Sequence, residues 1–295
     1  MSCKDHYDPA VCCFCGSDEY WLVAAGPTVP VIACRKCGLM RQGFLSGTEE
    51  QQSASFAAYA GGEQRFYQQR QDKEAAQVAD FLKIIPQLQK LLPEKGRLLE
   101  IGCAMGTLLN EIRKLGWEVS GVEPEEWTCE IARNKYGLNV ISSTFQEAEI
   151  EEASFDVVLL LHVIEHLSDP NKGLSQIARL LRPRGFLVLE TPRFDTLSFK
   201  LLKGRERSVI AGHYYYFTRA TIRALVQKSG FEVAQLDAVG RTLTLERLCF
   251  YAAKFLDSDL TTKMLTRLSN SLHLNKVHIH INLHDMMRLY LRKVS

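Results

Sequence analysis

Four cysteines near the start of the chain have the types and spacing of metal ligands. Cys12 and Cys15 form one C-x-x-C pair, Cys34 and Cys37 form another, and eighteen residues separate the pairs. Two thiolates on one tight turn span one edge of a tetrahedron, and a second pair supplies the opposite edge, as Zn²⁺ requires. Four protein ligands leave no open position, so the spacing predicts a structural zinc site. A redox pair is the competing interpretation, and Cys13 would replace Cys12 only at poorer spacing.

A second group of residues indicates a binding site for a small molecule. Gly102 and Gly106 lie four positions apart in "LLEIGCAMG", directly after an apolar, strand-like run. Positions without a side chain allow another group to approach the backbone. Glu123 ends the next such run about twenty residues later, and a carboxylate there suits the two hydroxyls of a ribose. Because Ala104 interrupts the G-x-G-x-x-G pattern of dinucleotide sites, the turn predicts a nucleoside rather than a nucleotide.

The composition is that of a globular protein and excludes several classes. Of 295 residues, 46% are hydrophobic and 24% are charged, and the net charge of +2 is too mild for a nucleic-acid surface. No apolar run reaches the ~20 residues of a membrane span, and the N-terminus lacks the apolar segment of a secretory signal. We therefore expect a cytoplasmic protein without a nucleic-acid partner, whose clustered cysteines bind metal rather than form disulfides.

Strand-like and helix-like segments alternate from residue 97 onward. Apolar, strand-like runs occupy 97–101, 118–122, 155–161, 185–190 and 231–236. Helix-like stretches occupy 106–115, 126–136, 171–181 and 218–229. This alternation predicts an α/β domain with a doubly wound, mostly parallel sheet that helices cover on both faces.

Three motifs, in order, resemble those of class I S-adenosylmethionine-dependent methyltransferases. They are "LLEIGCAMG", "GVEP" and "FDVVLLLHVIEHLSDPNKGLSQIARLLRPRGFLVLETP", and the likeness runs from about residue 60 to the end. The resemblance implies a Rossmann-like, seven-stranded sheet, S-adenosyl-L-methionine as co-substrate and a small-molecule acceptor. Ala104 departs from the glycine that the family usually carries there.

The resemblance also implies which residues contact the cofactor. Gly102 and Gly106 are expected under its methionyl part, and Glu123 at its ribose. Phe145 is expected beside the adenine, with an ordinary core aromatic as the alternative, and His162 at the pocket wall. Glu100 and Cys103 of the first motif are further expected contacts. Tyr67 and Arg70 of the upstream helix are also expected contacts, and a solvated helix face is the alternative for these two.

The segment "HVIEH", residues 162–166, matches the H-x-x-E-H pattern of inverted zinc peptidases. That pattern needs a helix, whereas this segment begins where a strand-like run ends, and "LSDPNKGL" breaks any helix soon afterwards. The sequence therefore disfavours a peptidase and predicts that His166 is a buried, hydrogen-bonded structural residue.

His213 is the candidate catalytic base or acceptor-orienting group. It precedes three tyrosines in the loop after the fifth expected strand of the fold, and the near-neutral pKa of histidine permits proton transfer. The stretch resembles a His-aromatic-Phe-Thr sequence of this methyltransferase branch, which shared packing explains equally well. Residues 200–207 of the same loop carry four cations and one acid, Glu206. A solvated surface loop explains this charge, and an anionic acceptor is the sharper alternative; the cations are Lys200, Lys203, Arg205 and Arg207.

The chain divides into three expected regions. Residues 1–45 form a zinc ribbon, 46–96 a helical connector that packs on the cofactor domain, and 97–295 the methyltransferase domain. A helical insertion at about 241–276 is expected to cap the acceptor pocket or mediate pairing, with membrane-surface attachment as a minor alternative. "HDMMRLYLRK" then predicts a returning edge strand.

Together these features predict an enzyme that transfers a methyl group to a small molecule, preferably at oxygen. Secondary-metabolite, quinone and sugar pathways are the expected contexts, and the enzyme is expected to be a monomer or a homodimer. Two alternatives stay open: a non-catalytic module whose ribbon recruits protein or RNA, and a sugar C-methyltransferase.

Overall fold

The computed structural model describes residues 10–25, 29–43, 77–210, 212–245 and 277–294. Tyr67 and Arg70 lie outside these ranges, as do most of the 46–96 connector and residues 246–276 of the expected insertion. What was expected of those residues stays a prediction. No helix in the described ranges is both long enough and apolar enough to span a bilayer.

The strands in chain order are β1 (Tyr20–Ala24), β2 (Val31–Cys34), β3 (Met40–Gln42), β4 (Arg97–Ile101), β5 (Glu118–Glu123), β6 (Asn139–Ser142), β7 (Phe155–Leu161), β8 (Leu181–Pro192), β9 (Tyr215–Tyr216), β10 (Phe231–Ala238), β11 (Arg241–Thr244), β12 (His278–Ile281) and β13 (Met286–Lys293). The helices are α1 (Ile84–Leu91), α2 (Thr107–Lys114), α3 (Glu126–Tyr136), α4 (Pro170–Leu180), α5 (Leu197–Leu202) and α6 (Arg219–Lys228). Two 3₁₀ turns, Ile164–His166 and Lys203–Arg205, are also present.

A seven-stranded sheet forms the centre of the molecule, in the spatial order β10-β13-β8-β7-β4-β5-β6. Strands β8, β7, β4, β5 and β6 run parallel to one another, and β13 is antiparallel to both β8 and β10. This arrangement confirms the expected doubly wound, mostly parallel α/β fold.

The central strands are buried on both faces because helices cover the sheet on both sides. On β7, Val158 and Leu160 belong to one hydrophobic cluster, whereas Val157 and Leu159 belong to another. All four side chains are fully buried. Successive side chains of a strand point to opposite faces, so the unbroken apolar run "FDVVLLL" supplies two cores at once.

The C-terminal strand is not an edge strand, contrary to the sequence-based expectation. β13 lies between β8 and β10, and β10 forms the edge. Burial gives the reason, since Met287, Leu289 and Leu291 of β13 are completely enclosed. The described start of the 241–276 insertion is also a strand rather than a helix. It forms β11, which pairs with β12 in a two-stranded antiparallel sheet.

The cysteine-rich segment is joined to the α/β domain by strand pairing. Its sheet has the order β1-β2-β3-β9, and β9 comes from the loop after β8. A third hydrophobic cluster spans the join and contains Val31 of β2, Phe194, Phe199 and Tyr216 of β9. The ribbon and this loop of the α/β domain therefore share one sheet and one core.

Candidate active site

Three of the predicted cofactor residues, Gly102, Glu123 and His162, lie at strand ends on one edge of the central sheet. β4 ends just before Gly102, β5 ends at Glu123, and β7 ends just before His162. The strands are parallel, so their carboxyl ends meet at the same edge, where ligands of open α/β sheets bind. β8 adds Glu190 near its own carboxyl end, and sequence analysis did not single this residue out.

The glycine turn is tight because protein side chains pack against it. Gly102 and Gly106 have φ angles of +77° and +72°, which favour glycine. A Cβ at Gly102 would lie 2.7 Å from Val163 Cγ2, and one at Gly106 would lie 2.6 Å from Leu138 Cδ1 and 2.9 Å from Ala132 Cβ. Packing alone thus accounts for both glycines, and their contact with a cofactor stays a prediction.

Glu123 links the end of β5 to the glycine turn. Its Oε2 accepts a hydrogen bond of 2.9 Å from the backbone N–H of Ala104, and its Oε1 accepts one of 3.1 Å from Glu125. The side chain is buried. A carboxylate is therefore held directly beside the turn, which is the arrangement that a ribose site needs, and its binding of ribose stays a prediction.

Three further expected residues are buried in this region. Glu100 is buried on β4 directly before the turn. Cys103 packs on β5, because a Cβ at Gly121 would lie 2.5 Å from its Sγ, and burial raises the pKa of its thiol. Phe145 lies in the hydrophobic core, and its carbonyl accepts a 3.0 Å hydrogen bond from Gln176. The structure thus favours the core-aromatic interpretation of Phe145, while its contact with adenine stays a prediction.

His162 lies between two buried carboxylates. Its Nδ1 is 3.5 Å from Glu165 Oε1, and its Nε2 is 3.4 Å from Glu190 Oε1. Burial disfavours the charged imidazole, but the two carboxylates outweigh it and raise the pKa of His162 to about 9. Burial likewise opposes ionisation of Glu165, yet His162 lowers the pKa of that carboxyl to about 2.

The two carboxylates have additional partners that sequence analysis missed. Arg288 Nε donates a 2.7 Å hydrogen bond to Glu190 Oε2, and both side chains are buried. Thr191 Oγ1 donates a 2.9 Å hydrogen bond to Glu165 Oε2. Buried charges must be paired, so an acid in the apolar run "GFLVLET" was a signal that a cation would lie opposite it. The position of that cation, 98 residues away, was not readable from the sequence.

The "HVIEH" segment has the geometry that disfavours a peptidase. Only Ile164–His166 is helical, as a single 3₁₀ turn, and α4 begins at Pro170 after its N-cap Asp169. The two histidines therefore do not share one face of an α-helix, as the H-x-x-E-H pattern requires. His166 is half-buried and its Nδ1 is 2.8 Å from the Gly212 carbonyl, so the expected hydrogen bond is present.

His213 reaches this site from the loop after β8. Its Nδ1 is 2.9 Å from the Ser208 carbonyl, and its ring packs edge-to-face on that of His166, with centroids 4.7 Å apart. The side chain is buried, and burial lowers the pKa of His213 to about 4. The imidazole is therefore neutral at neutral pH and is a weak base, which favours orientation over proton abstraction.

The four cations of the loop have different surroundings. Arg207 forms ion pairs with Asp285 and, at 3.8 Å, with Glu206. Asp285 is therefore a second acid that contacts this loop. It lies in a distant part of the sequence, so the sequence of the loop did not predict the contact. The other three cations, Lys200, Lys203 and Arg205, are exposed.

The four predicted metal-ligating cysteines come together. The Sγ atoms of Cys12 and Cys37 are 3.5 Å apart, as are those of Cys15 and Cys34, and all four lie within 4.8 Å of one another. Zn–S bonds of ~2.3 Å in a tetrahedron separate sulfur atoms by about 3.8 Å, so the cluster has the dimensions of a zinc site. Cys13 lies outside the cluster, as its spacing predicted.

The backbone around the cysteines is built as two matching turns. Gly16 donates to the Cys12 carbonyl at 2.8 Å, and Gly38 donates to the Cys34 carbonyl at 2.9 Å. A glycine directly after the second cysteine of each pair was a further sequence signal for this geometry. Burial opposes ionisation of Cys34, but N–H groups of Cys37 and Lys36 lower the pKa of its thiol to about 7.

The family to which the chain belongs follows from comparison with known proteins. A family model described as a methyltransferase domain matches residues 67–236, which is more than half of the 295 residues.

The chain belongs to this methyltransferase family.

Related sequences and structures agree with that assignment. The methyltransferase is 32% identical to a ubiquinone biosynthesis O-methyltransferase of Rhodopseudomonas palustris (strain TIE-1) over 109 residues, 36% of this chain and 43% of that protein. It is 29% identical to the protein of the same description in Azorhizobium caulinodans, over 50% of this chain and 64% of that protein. The chain thus spans less than two thirds of the length of these relatives.

Solved structures confirm the fold. A SAM-dependent methyltransferase from Archaeoglobus fulgidus has a TM-score of 0.53 at 19% identity, covering 78% of this chain and all of that chain (100%). One from Thermotoga maritima has a TM-score of 0.51 at 21% identity, covering 77% and 95%. The class I methyltransferase resemblance indicated by the motifs is therefore confirmed.

Replacing Gly106 tests whether packing closes the turn of the methyltransferase. Gly106→Ala places a Cβ in the left-handed region and against Leu138 and Ala132, so we expect a loss of about 2–4 kcal/mol in the free energy of unfolding. Denaturant titration measures it. Gly137→Ala is the matched control, because its φ is +62° but nothing lies within 4 Å of a Cβ there. We expect the control to lose only about 1 kcal/mol, and equal losses would refute the packing explanation.

Proposed function

We propose that the protein transfers a methyl group from S-adenosyl-L-methionine to an oxygen atom of a small molecule. The observation that carries the proposal is the Glu123 carboxylate, buried at the carboxyl end of β5 and hydrogen-bonded to the glycine turn. That arrangement suits a nucleoside bound across the ends of β4 and β5. Membership of the methyltransferase family identifies the nucleoside as the sulfonium cofactor.

The reaction is an in-line displacement at carbon. A lone pair of the acceptor oxygen forms the new C–O bond while the C–S bond of the sulfonium breaks, and its electrons return to sulfur. The acceptor hydroxyl releases its proton to water. Most of the rate enhancement then comes from holding the oxygen and the methyl group in line, which is worth up to ~7–11 kcal/mol.

The residues of the site divide between the two substrates. Glu123 binds the ribose hydroxyls, and the turn from Gly102 to Gly106 lies under the methionyl part, flanked by Glu100 and Cys103. Phe145 borders the adenine side. His213 orients the acceptor rather than removing its proton, because burial keeps the pKa of His213 at about 4. His162 borders the cofactor and balances Glu165 and Glu190.

The relatives support oxygen as the atom that receives the methyl group. The Rhodopseudomonas and Azorhizobium proteins are both described as O-methyltransferases of ubiquinone biosynthesis. We propose an acceptor of comparable class, a hydroxylated small molecule. The exposed cations Lys200, Lys203 and Arg205 would favour an anionic substituent on it.

We also propose that the cysteine cluster binds a structural Zn²⁺ ion through Cys12, Cys15, Cys34 and Cys37. Sulfur separations of 3.5 Å and four thiol ligands fit a closed tetrahedral site. Arg41 is buried beside this segment, and its charge affects the nearby Cys13 thiol. A buried guanidinium needs a negative partner, and four thiolates around one Zn²⁺ carry a net charge of −2. A reducing, cytoplasmic compartment suits such a site.

Cofactor binding is tested by thermal and denaturant unfolding with S-adenosylhomocysteine. At 100 times its dissociation constant, the ligand should raise the free energy of unfolding by ~2.7 kcal/mol. Glu123→Gln removes charge-assisted hydrogen bonds of ~1.5–3 kcal/mol each, so the increase at the same concentration should fall below about 1 kcal/mol. Glu118→Gln on the same strand, which is largely exposed, is the matched control and should respond like the unmodified protein.

Two outcomes of that experiment would contradict the proposal. If saturating ligand left the unmodified protein unchanged, the enzyme assignment would be wrong and a non-catalytic binding module would be favoured. If Glu123→Gln responded fully, the ribose would be bound elsewhere.

The zinc site is tested with two adjacent cysteines. Cys12→Ser removes a ligand, so after dialysis against a weak chelator the protein should lose zinc and at least about 2 kcal/mol of stability. Elemental analysis and denaturant titration measure these losses. Cys13→Ser changes the neighbouring thiol, which lies outside the cluster, and should keep its zinc. Equal zinc content in the two variants would contradict the assignment.

A further inference from the structure

A second cluster of potential metal ligands lies just beyond the end of β7, next to His162. One ligand atom each from Glu165, His166 and His213 lies within 4.8 Å of the others. Glu165 and His166 belong to the 3₁₀ turn after β7, and His213 lies two residues before β9. Two separate segments of the chain therefore bring two imidazoles and one carboxylate together.

The other polar atoms of these three side chains are held by hydrogen bonds. Glu165 Oε2 accepts from Thr191 at 2.9 Å, and each histidine uses its Nδ1, toward Gly212 at 2.8 Å and Ser208 at 2.9 Å. Carbonyl oxygens only accept, so both Nδ1 atoms carry the hydrogen and both lone pairs are on Nε2. Metal-binding histidines usually have their second nitrogen fixed in this way.

The remaining carboxylate oxygen is also suited to a cation. Glu165 is 1% exposed, and its Oε1 accepts no hydrogen bond from any described residue. His162 Nδ1 lies 3.5 Å from Oε1 as an ion-pair partner, outside the group of three. His162 already serves as the cationic partner of this oxygen, so a metal ion bound there would replace the charge of His162 as the counterion of Glu165.

We propose that Glu165, His166 and His213 bind a divalent transition-metal ion with an open coordination position that faces the acceptor. Two histidines and one carboxylate form the ligand set of catalytic zinc and non-haem iron sites, which keep at least one position for water or substrate. The four-cysteine cluster, by contrast, supplies all four ligands and leaves no open coordination position. No carboxylate-rich, six-oxygen cage is present among these ligands, so Mg²⁺ and Ca²⁺ are disfavoured.

The location of the cluster connects it to methyl transfer, and this step rests on the proposed function. Val163, between His162 and Glu165, contacts the Gly102 backbone, so the cluster and the cofactor turn lie at the same edge of the sheet. An acceptor hydroxyl on the open position would lose its proton to water more readily, because the metal lowers its pKa. Its oxygen then attacks the methyl carbon as the C–S bond breaks. His213 orients the acceptor by holding the metal.

Metal binding can be measured without any acceptor, using Co²⁺ as the probe. The protein is first loaded with one Zn²⁺ per chain, which the thiolate cluster retains because soft ligands favour zinc over cobalt. Equilibrium dialysis and visible absorption should then show one further Co²⁺ per chain. Absorption should lack the intense thiolate-to-cobalt bands that displacement from the cysteines would produce.

Three substitutions identify the ligands. In His166→Asn and His213→Asn, the amide keeps an N–H group near the position of Nδ1, so the hydrogen bonds to the Gly212 and Ser208 carbonyls are retained. Both substitutions remove the Nε2 ligand. Glu165→Gln removes the charge. Each should weaken Co²⁺ binding more than about tenfold, since losing even an outer-shell partner commonly costs 10–100-fold. His284→Asn is the control histidine, because it is exposed and its φ of +56° suits asparagine.

The outcomes separate this inference from the proposed function. If the zinc-loaded, unmodified protein bound no Co²⁺, or if the three variants bound it as tightly as His284→Asn, the metal site would be refuted. Retained zinc and an unchanged unfolding midpoint show that a variant is folded. A failure of Co²⁺ binding together with normal S-adenosylhomocysteine binding refutes the metal site alone, whereas a failure to bind S-adenosylhomocysteine refutes the proposed function.

Discussion

The pairing of β3 with β9 is the interaction on which the position of His213 depends. It places Met40 opposite Tyr216 and Arg41 opposite Tyr215, and Gln42 donates a 2.9 Å hydrogen bond to the Tyr214 carbonyl. The Tyr214 N–H in turn donates to the Glu165 carbonyl at 2.8 Å. His213 directly precedes this segment. Its position is therefore set by backbone hydrogen bonds that run from the cysteine ribbon on one side to the end of β7 on the other.

Those hydrogen bonds do not carry the join alone. Each contributes a net ~0.5–1.5 kcal/mol, and a strand of two residues offers few of them. Tyr216 is fully buried in the cluster with Val31, Phe194 and Phe199, and burying one such aromatic side chain contributes ~1.5–3 kcal/mol. Apolar burial and hydrogen bonding therefore make comparable contributions at this join. The ribbon and the loop from β8 to β9 stabilise each other, so a boundary at residue 45 divides the sequence but not the core.

The features readable from the sequence were local. Cysteine spacing predicted the sulfur cluster, and apolar periodicity predicted β4, β5, β7, β10 and most of the helices. The features that were not readable depend on pairing between distant segments. Strand β9 is too short to show periodicity, and nothing local marks Arg288 as the partner of Glu190. The "HVIEH" segment predicted only what the site is not. Its neighbours in space, Gly212 and His213, come from a segment that begins 46 residues after His166, and nothing local to the motif indicates them.

Buried charges at the sheet edge resist displacement of the strands that carry them. Glu165 and Glu190 are buried beside His162 and Arg288, so two negative and two positive charges balance where water is largely excluded. In a medium of low dielectric constant, moving one partner leaves a buried charge unpaired, which costs ~3–5 kcal/mol. That cost resists small displacements of β7 and β8 relative to β13. Methyl transfer depends on placing the acceptor atom in line with the methyl group, so a frame that resists displacement suits the proposed function. The cysteine-rich segment extends this frame to the loop that carries His213.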